Sequence, residues 1–355
     1  MRPRNPAEPT AKLWKSGGEL ALLDRIRARA GLAAGTGVRL GIGDDCALLG
    51  VRAGEELAVT TDLSIAGRHF RLDLHPPEAV GHRTLARGLS DLAAMGARPV
   101  AAFLSLGLPP HLVRSPKARS ASWIDRYYDG FLALAEACKT PLAGGDLAEA
   151  PVAVADIVLI GAVKRGRALL RSGARPGDQL YVTGKLGGAA AGLARIMEYA
   201  SSTDEAKRQP ANGLGLAIPK RLHAALEPHL HPQPRIAQGL WLARRGLATA
   251  ALDLSDGLST DLIHLCAASG VAAEVQADAL PVYPGATLEQ ALSGGEDYEL
   301  LFSAAHSARI PRKIAGVAVT RIGRMTRKRA GEPAVTLLTA QGAQPLEPRG
   351  WEHFS

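Results

Sequence analysis

Apolar and polar positions along the chain follow two rhythms, one helical and one alternating. Leu20, Leu23 and Ile26 recur at helical spacing, which predicts a helix over 18–30. LAVTT at 57–61 reads as a strand ending at Asp62. Between Pro76 and Gly96, Leu85, Leu89 and Leu92 fall on one helix face, and Gly96 suits a C-terminal cap. VAAFLSLG at 100–107 predicts a strand, 119–139 a helix, and PVAVADIVLIGAV at 151–163 another strand. The turn-rich KRGRALLRSGARPGD at 164–178 then divides the chain. Beyond it, QLYVT at 179–183 is a strand and Gly187-Gly188 opens an Ala-rich helix to about 199. Helices at 234–246 and 257–269 bracket a strand at 248–254, and strands near 272–276, 298–303, 317–323 and 334–339 complete the second half. The organisation expected is a flexible tail at 1–17, a first domain at 18–163 and a second at 164–355. The polar, Pro- and Gly-broken segment 200–219 reads as a mobile loop within the second domain.

Composition narrows the class. The 355 residues are 46% apolar and 21% charged, enough for a sizeable core. No run of about 18 apolar residues exists, so no membrane helix is expected. The charged, Pro-rich MRPRNPAEPTAKLWKSGG lacks the apolar stretch of a secretory signal. Cys46, Cys138 and Cys266 are odd in number and far apart, which argues against a disulfide framework and fits a reducing cytoplasm. The net charge of +8 is concentrated in Arg309, Arg312, Lys313, Arg321, Arg324, Arg327, Lys328 and Arg329. With only 4% aromatic residues and none interleaved in this run, it reads as a solvated face rather than a nucleic-acid or membrane surface.

The common nucleotide and hydrolase signatures (GxxxxGK[ST], GxGxxG, HExxH, GxSxG) are absent. What recurs instead is acidic residues in Gly, Ser or Thr contexts: GIGDD at 41–45, TTD at 60–62, LSD at 89–91, GGD at 144–146, DLSDG at 253–257 and GGED at 294–297. Each alone is consistent with turn and helix-capping chemistry. Six together suggest carboxylates lining a cleft. Their mutual repulsion is best offset by divalent cations, and Mg²⁺ takes carboxylate, water and phosphate oxygens. That chemistry points to a metal-bridged polyphosphate. Arg171 in LLRSG is a candidate phosphate clamp, His69 in AGRHF a candidate substrate contact, and Trp351 in RGWEHF a candidate for stacking on a ring, each against the alternative of an ordinary surface or core residue.

The ordered segments GIGDDCALL, TTDLSIAGRHF, LSDLAAMGARP, GGDLAEA, ALLRSGARPGDQLYVTG, LDLSDGLSTDL and SGGEDYELLF resemble the thiamine-monophosphate kinase family, part of the aminoimidazole ribonucleotide synthetase superfamily, over about 18–354. The resemblance implies an α+β fold of two α/β-sandwich-like halves, with the first half forming a β-barrel across a homodimer interface. It implies ATP-dependent phosphorylation of thiamine monophosphate to thiamine diphosphate with several Mg²⁺ ions. Matched by motif, Asp45, Thr60, Thr61, Asp62, Asp91, Asp146, Asp253 and Asp256 correspond to metal ligands. Gly145, Asp146, Arg171 and Ser255 correspond to ATP contacts, and His69, Glu296 and Trp351 to contacts of the phosphate acceptor. No covalent nucleophile is implied, since an acceptor phosphate oxygen is already anionic. Two other classes remain open: a different enzyme on the same scaffold, or a module that binds nucleotide without turnover. The first is disfavoured by the lack of a Cys before Cys46 and of a C-terminal Cys. The second has no use for carboxylate clusters.

Overall fold

Each half of the chain builds its own sheet. The structure, a computed structural model, describes residues 19–30, 37–43, 46–114, 121–202 and 218–350. The first half contains α1 (Glu19–Ala30), a small antiparallel pair of β1 (Val38–Leu40) and β2 (Leu48–Leu49), and then β3 (Glu55–Ile65), α2 (Pro77–Ala94), β4 (Arg98–Leu108), α3 (Pro110–Val113), α4 (Trp123–Ala137), β5 (Leu142–Glu149) and β6 (Val154–Lys164). Its four long strands lie in the order β3-β6-β4-β5; only β4 and β5 run parallel. The second half contains β7 (Gln179–Thr183), α5 (Gly188–Ser202), α6 (Lys220–Leu230), α7 (Ile236–Arg245), β8 (Ala248–Asp253), α8 (Leu258–Ser269), β9 (Ala272–Gln276), α9 (Leu288–Ser293), β10 (Leu300–Ala304), β11 (Lys313–Ile314), β12 (Val317–Thr326), β13 (Val335–Thr339) and β14 (Gly342–Pro345). Here the sheet order is β14-β13-β9-β12-β7-β10-β8, with β11 on β12.

The leucines of α2 behave as their spacing predicts: Leu85, Leu89 and Leu92 pack on Leu104, Ile157 and Leu159 of the sheet and on Tyr127 and Phe131 of α4. A second core gathers Leu180, Val182, Leu262, Val275 and Ile322 between the larger sheet and α8. The seam between the halves is also made by α2, whose Ala93 and Ala94 meet Leu242 of α7 and Phe302 of β10. Within α2 only Glu78, Arg87 and Asp91 escape full burial. A helix buried on nearly every side is a core element. Two glycines permit this closeness. A Cβ on Gly81 would stand 1.9 Å from the Tyr127 carbonyl oxygen, and one on Gly239 would stand 1.9 Å from that of Ala93.

Several expectations need correction. Among the described residues of the single chain the first sheet is open, and the barrel expected across a homodimer interface is not shown. The strand expected to end at Asp62 continues to Ile65 because every residue from Glu55 onward is paired with β6. The GGD segment is not a turn but the middle of β5, paired parallel with β4. Pattern reading also missed α6, which starts at Lys220 and carries Pro228 in its last turn. The tail at 1–17, most of the 200–219 loop, Asp45 and Trp351 lie outside the described residues. All eight basic residues between Arg309 and Arg329 are exposed, and no described helix is long and apolar enough to cross a membrane.

Gly81→Ala should destabilise the protein. The alanine would gain up to about 1 kcal/mol of helix propensity, but overpacking against a backbone carbonyl costs about 1–3 kcal/mol. Thermal unfolding should give a lower Tm, and an unchanged Tm would mean that α2 and α4 do not meet backbone to backbone.

Candidate active site

The seam opens into a cleft of about 420 Å³, walled by Asp62, Arg87 and Asp91 from the first half and by Asp253, Ser255, Asp256 and Glu296 from the second. His69 and His75 stand at one side, with Phe70, Leu74, Leu193 and Met197 as an apolar patch. Alternation along β3 explains the first wall. Thr60, Asp62 and Ser64 share the face turned toward α2, while Leu57, Val59, Thr61 and Leu63 share the exposed face. On α2, Arg87 and Asp91 are four residues apart and therefore on the same side. The second wall is two adjoining loops. The Glu296 amide donates to the Ser255 carbonyl at 2.7 Å and the Tyr298 amide to that of Leu254 at 2.9 Å, so the DLSDG turn and the GGED loop are fixed side by side. Glu296 itself takes a left-handed φ of 67°.

Each carboxylate has its own partner. Arg87 grips Asp62 through Nε at 2.9 Å and a terminal nitrogen at 2.7 Å. The Thr60 hydroxyl donates to Asp91 at 2.5 Å, and the Ser90 hydroxyl donates to Asp253 at 2.6 Å. These partners do not cancel the charge. Burial, opposed by Arg87 and aided by the Asp91 charge, pushes Asp62 up to about 6. Asp91 and Asp253 are also raised, chiefly by burial, with Asp91 acting further on Asp253. Asp261, which accepts the amides of Asp256 and Gly257, reaches about 8 through burial and the neighbouring Asp256 and Asp253 charges. Asp297 accepts the amides of Gly187 and Ala189 at the start of α5 and reaches about 7 through burial. Glu296 departs in the other direction. Burial opposes its charge, but Arg83, with one nitrogen 2.7 and 2.9 Å from the two carboxylate oxygens, holds it below the ordinary value.

Arg83 ties the halves together. From α2 it also donates to the His229 carbonyl on α6 at 2.6 Å and to the His69 carbonyl at 3.2 Å. The His229 ring is 3.0 Å from Arg83 and, through Nε2, 3.0 Å from Nε2 of His75. Burial and Arg83 push both histidines down, His75 to about 4, so this chain of rings is neutral at ordinary pH. His69 accepts the Ile65 amide on Nδ1 at 3.1 Å, which sets its orientation at the cleft.

The expected residues divide between two places. Asp62, Asp91, Asp253, Ser255, Asp256, His69 and Glu296 line the cleft. Thr60 joins them through Asp91, and the field of Arg171 acts on Asp91 and Asp253. The side chain of Thr61 lies on the opposite face of β3. Gly145 and Asp146 do not line this cleft. They belong to a separate cavity of about 680 Å³ that also contains Gly41, Gly43 and Cys46. Register gives the reason. Asp62, Ile157, Leu104 and Gly145 form one cross-strand row, so Gly145 is three strand spacings, about 14 Å, from Asp62. Asp146 sits in the next row, with Ser105, Asp156 and Leu63. Gly350, the last described residue, donates its amide to Thr260 and has its backbone against Asp256, so the chain reaches the cleft just before Trp351. Sequence reading missed Arg83, Arg87, Ser90, His229 and Asp261. Only the Ser90-Asp91 adjacency offered a local signal.

The donor set suits a hard cation: the carboxylates Asp62, Asp91, Asp253 and Asp256 and the Ser255 hydroxyl offer oxygen ligands, and burial disfavours the bare ionised carboxylates. Among the described residues no three His, Cys, Asp or Glu side chains form a ready-made cage. The set therefore fits an ion that completes its shell with water and phosphate oxygens, as Mg²⁺ does.

Comparison with known proteins agrees with this geometry. The family descriptions that match are AIR synthase related protein, N-terminal domain, over residues 43–167, and AIR synthase related protein, C-terminal domain, over 175–335. The thiamine-monophosphate kinase of Salmonella typhimurium is 38% identical, covering 95% of this chain and 98% of its own. The crystal structure of the thiamine-monophosphate kinase of Stenotrophomonas maltophilia superposes with a TM-score of 0.71 at 38% identity, covering 90% of this chain and 96% of that one. A structure of AaThiL complexed with AMPPCP and TMP superposes with a TM-score of 0.69 at 30% identity, covering 99% and 100%. Identity at this level across nearly the whole length, on the same two-domain α+β fold, makes this chain a member of the thiamine-monophosphate kinase family.

Proposed function

We propose that this protein transfers the γ-phosphoryl group of ATP directly to the phosphate of thiamine monophosphate, giving thiamine diphosphate, with several Mg²⁺ ions in the cleft. The observation that supports this most is the meeting of Asp62, Asp91, Asp253 and Asp256 in one cleft, with Ser255, His69 and Glu296 beside them, in a chain whose relatives carry that activity in their names. Bound Mg²⁺ would neutralise the phosphate oxygens and hold donor and acceptor in line.

The chain's own residues supply the rest. Asp62, Asp91, Asp253 and Asp256 would hold the ions, with Thr60 orienting Asp91 and Asp45 as a further ligand. Thr61, with its side chain turned away, is left its main-chain oxygen. Ser255 and Arg171 would contact the triphosphate. Glu296, kept ionised by Arg83, complements a cationic thiazolium, and His69 and Trp351 would complete the acceptor pocket with the apolar patch around Phe70. No side chain needs to act as a strong base, because the acceptor oxygen is an anion. On this reading the first domain, 18–163, binds metal and nucleotide and dimerises, and 164–355 completes the cleft.

The homodimer belongs to the same reading. The edge strand β3 exposes Leu57, Val59 and Leu63 at 56%, 58% and 46%. A long apolar edge strand invites pairing, and a second copy of this sheet would cover it. Asp146, in the row that contains Leu63, would then lie at the interface.

Three outcomes test these statements. Asp256→Asn should lower the rate of thiamine-monophosphate-dependent ADP release by at least about 100-fold while leaving the fold intact; a near-normal rate would refute the metal assignment. Leu63→Arg should shift the molar mass measured by light scattering from dimer to monomer, and an unchanged mass would dismiss this face as the interface. The third test concerns pH. Asp261 and Asp297 hold their protons more tightly folded than unfolded, so their contribution is full below about pH 4 and is lost as the pH climbs through about 8 and about 7. His75, His82 and His229, displaced downward, have completed their opposite response above about pH 6.5. Between about pH 6.5 and 8 the metal-free protein should therefore lose Tm as pH rises, and millimolar Mg²⁺ should reduce that slope. A flat Tm in EDTA would mean that these carboxylates are not strained by burial.

A further inference from the structure

We propose that Arg87 is an exchangeable counter-ion: it occupies Asp62 while the cleft holds no divalent cation, and it releases Asp62 when a cation arrives together with a phosphate. The proposal rests on the phosphoryl-transfer reading above.

Asp62, Asp91 and Asp253 are not held alike. Asp91 and Asp253 each receive a neutral hydroxyl on one oxygen, from Thr60 and Ser90. Asp62 is instead gripped by a guanidinium fork, with Nε at 2.9 Å from Oδ2 and a terminal nitrogen at 2.7 Å from Oδ1. A two-point fork of this kind is the strongest hydrogen-bonded pairing a carboxylate makes in a protein. A third nitrogen of Arg87 is 3.3 Å from the Ser64 hydroxyl on the same strand, so the guanidinium lies flat along β3. Its side chain is 16% exposed, and that exposed part faces the cleft.

A divalent ion on Asp62 would have to take an oxygen that the fork already uses, and it would face a like charge at close range. That repulsion scales with the ion's double charge and is little screened at a half-buried site. The guanidinium must therefore swing away, but its helix cannot follow, because α2 is buried on nearly every side. The displaced cation remains in the cleft and needs an anion there. Glu296 already has Arg83. An incoming phosphate supplies what is missing: oxygens for the metal and oxygens for Arg87. Metal alone is thus disfavoured, whereas metal with phosphate is favoured. Because linkage is reciprocal, Arg87 would make the two ligands bind cooperatively.

The test is Mn²⁺ binding to the full chain without nucleotide, followed by electron paramagnetic resonance, for the parent, Arg87→Met and Arg87→Lys. Losing a charged hydrogen-bonded partner of Asp62 should make Arg87→Met bind Mn²⁺ about tenfold more tightly than the parent, and added thiamine monophosphate should tighten Mn²⁺ less in the variant than in the parent. Equal or weaker Mn²⁺ binding by Arg87→Met overturns the proposal and leaves the metal reading standing. Should that variant fail to fold, Arg87→Lys, which keeps the charge and loses the fork, must still bind Mn²⁺ more tightly than the parent. Absence of Mn²⁺ binding in every protein, with and without thiamine monophosphate, takes down the phosphoryl-transfer reading and this proposal with it.

Discussion

Crowding carboxylates along the buried seam of two domains is the constraint to which the rest of this protein answers. An ionised carboxylate taken out of water loses several kcal/mol unless it gains partners. Asp62, Asp91 and Asp253 gain an arginine fork, a threonine hydroxyl and a serine hydroxyl, yet burial still raises all three. Their ionised forms are therefore incompletely compensated, and these carboxyls keep their protons to higher pH than an ordinary carboxylate. A structure arranged only for stability would place apolar side chains there. Retaining the charge makes sense if cationic ligands complete the site, and perturbed titration in a cleft marks functional positions for this reason.

Helix α2 is where that constraint meets the packing. It contributes leucines to the first core, alanines to the seam, and Arg83, Arg87, Ser90 and Asp91 to the polar wall. Its backbone touches α4 at Gly81 and α7 at Gly239. The side chains around the cleft thus stand on an element that cannot shift without disturbing both halves. Arg83 adds a direct link, reaching from α2 to Glu296 and to the His229 carbonyl in the second half. Preorganisation of this kind is what phosphoryl transfer needs, since the chemistry rests on alignment and charge rather than on a covalent partner.

How much of this could be read in the sequence depends on how local the signal was. The helical spacing of Leu85, Leu89 and Leu92 and the position of the inter-domain turn are local patterns, and the DLSDG and GGED motifs do adjoin in space. Arg83 and Arg87 carried no local mark. Their partners Glu296 and Asp62 are 213 and 25 residues away, and nothing near either arginine distinguishes it from a surface residue. Composition misled at GGD, where glycines suggested a turn but parallel pairing with β4 made a strand. Where the six acidic motifs lie relative to one another is not written in the motifs themselves, because register across the sheet decides it: one row puts three strand spacings between Asp62 and Gly145.

That register also joins the two roles of β3. A strand sends alternate side chains to opposite faces, and a slip of one residue would exchange them. In β3, Thr60, Asp62 and Ser64 serve the cleft, and Leu57, Val59 and Leu63 form the exposed apolar face. Pairing with β6 from Glu55 to Ile65, without a bulge, fixes both sets at once. If a second copy covers the outer face, it stiffens the strand that holds Asp62 and its fork with Arg87. Assembly would then act on metal binding through the pleat of a single strand, with no need for the partner to reach the cleft.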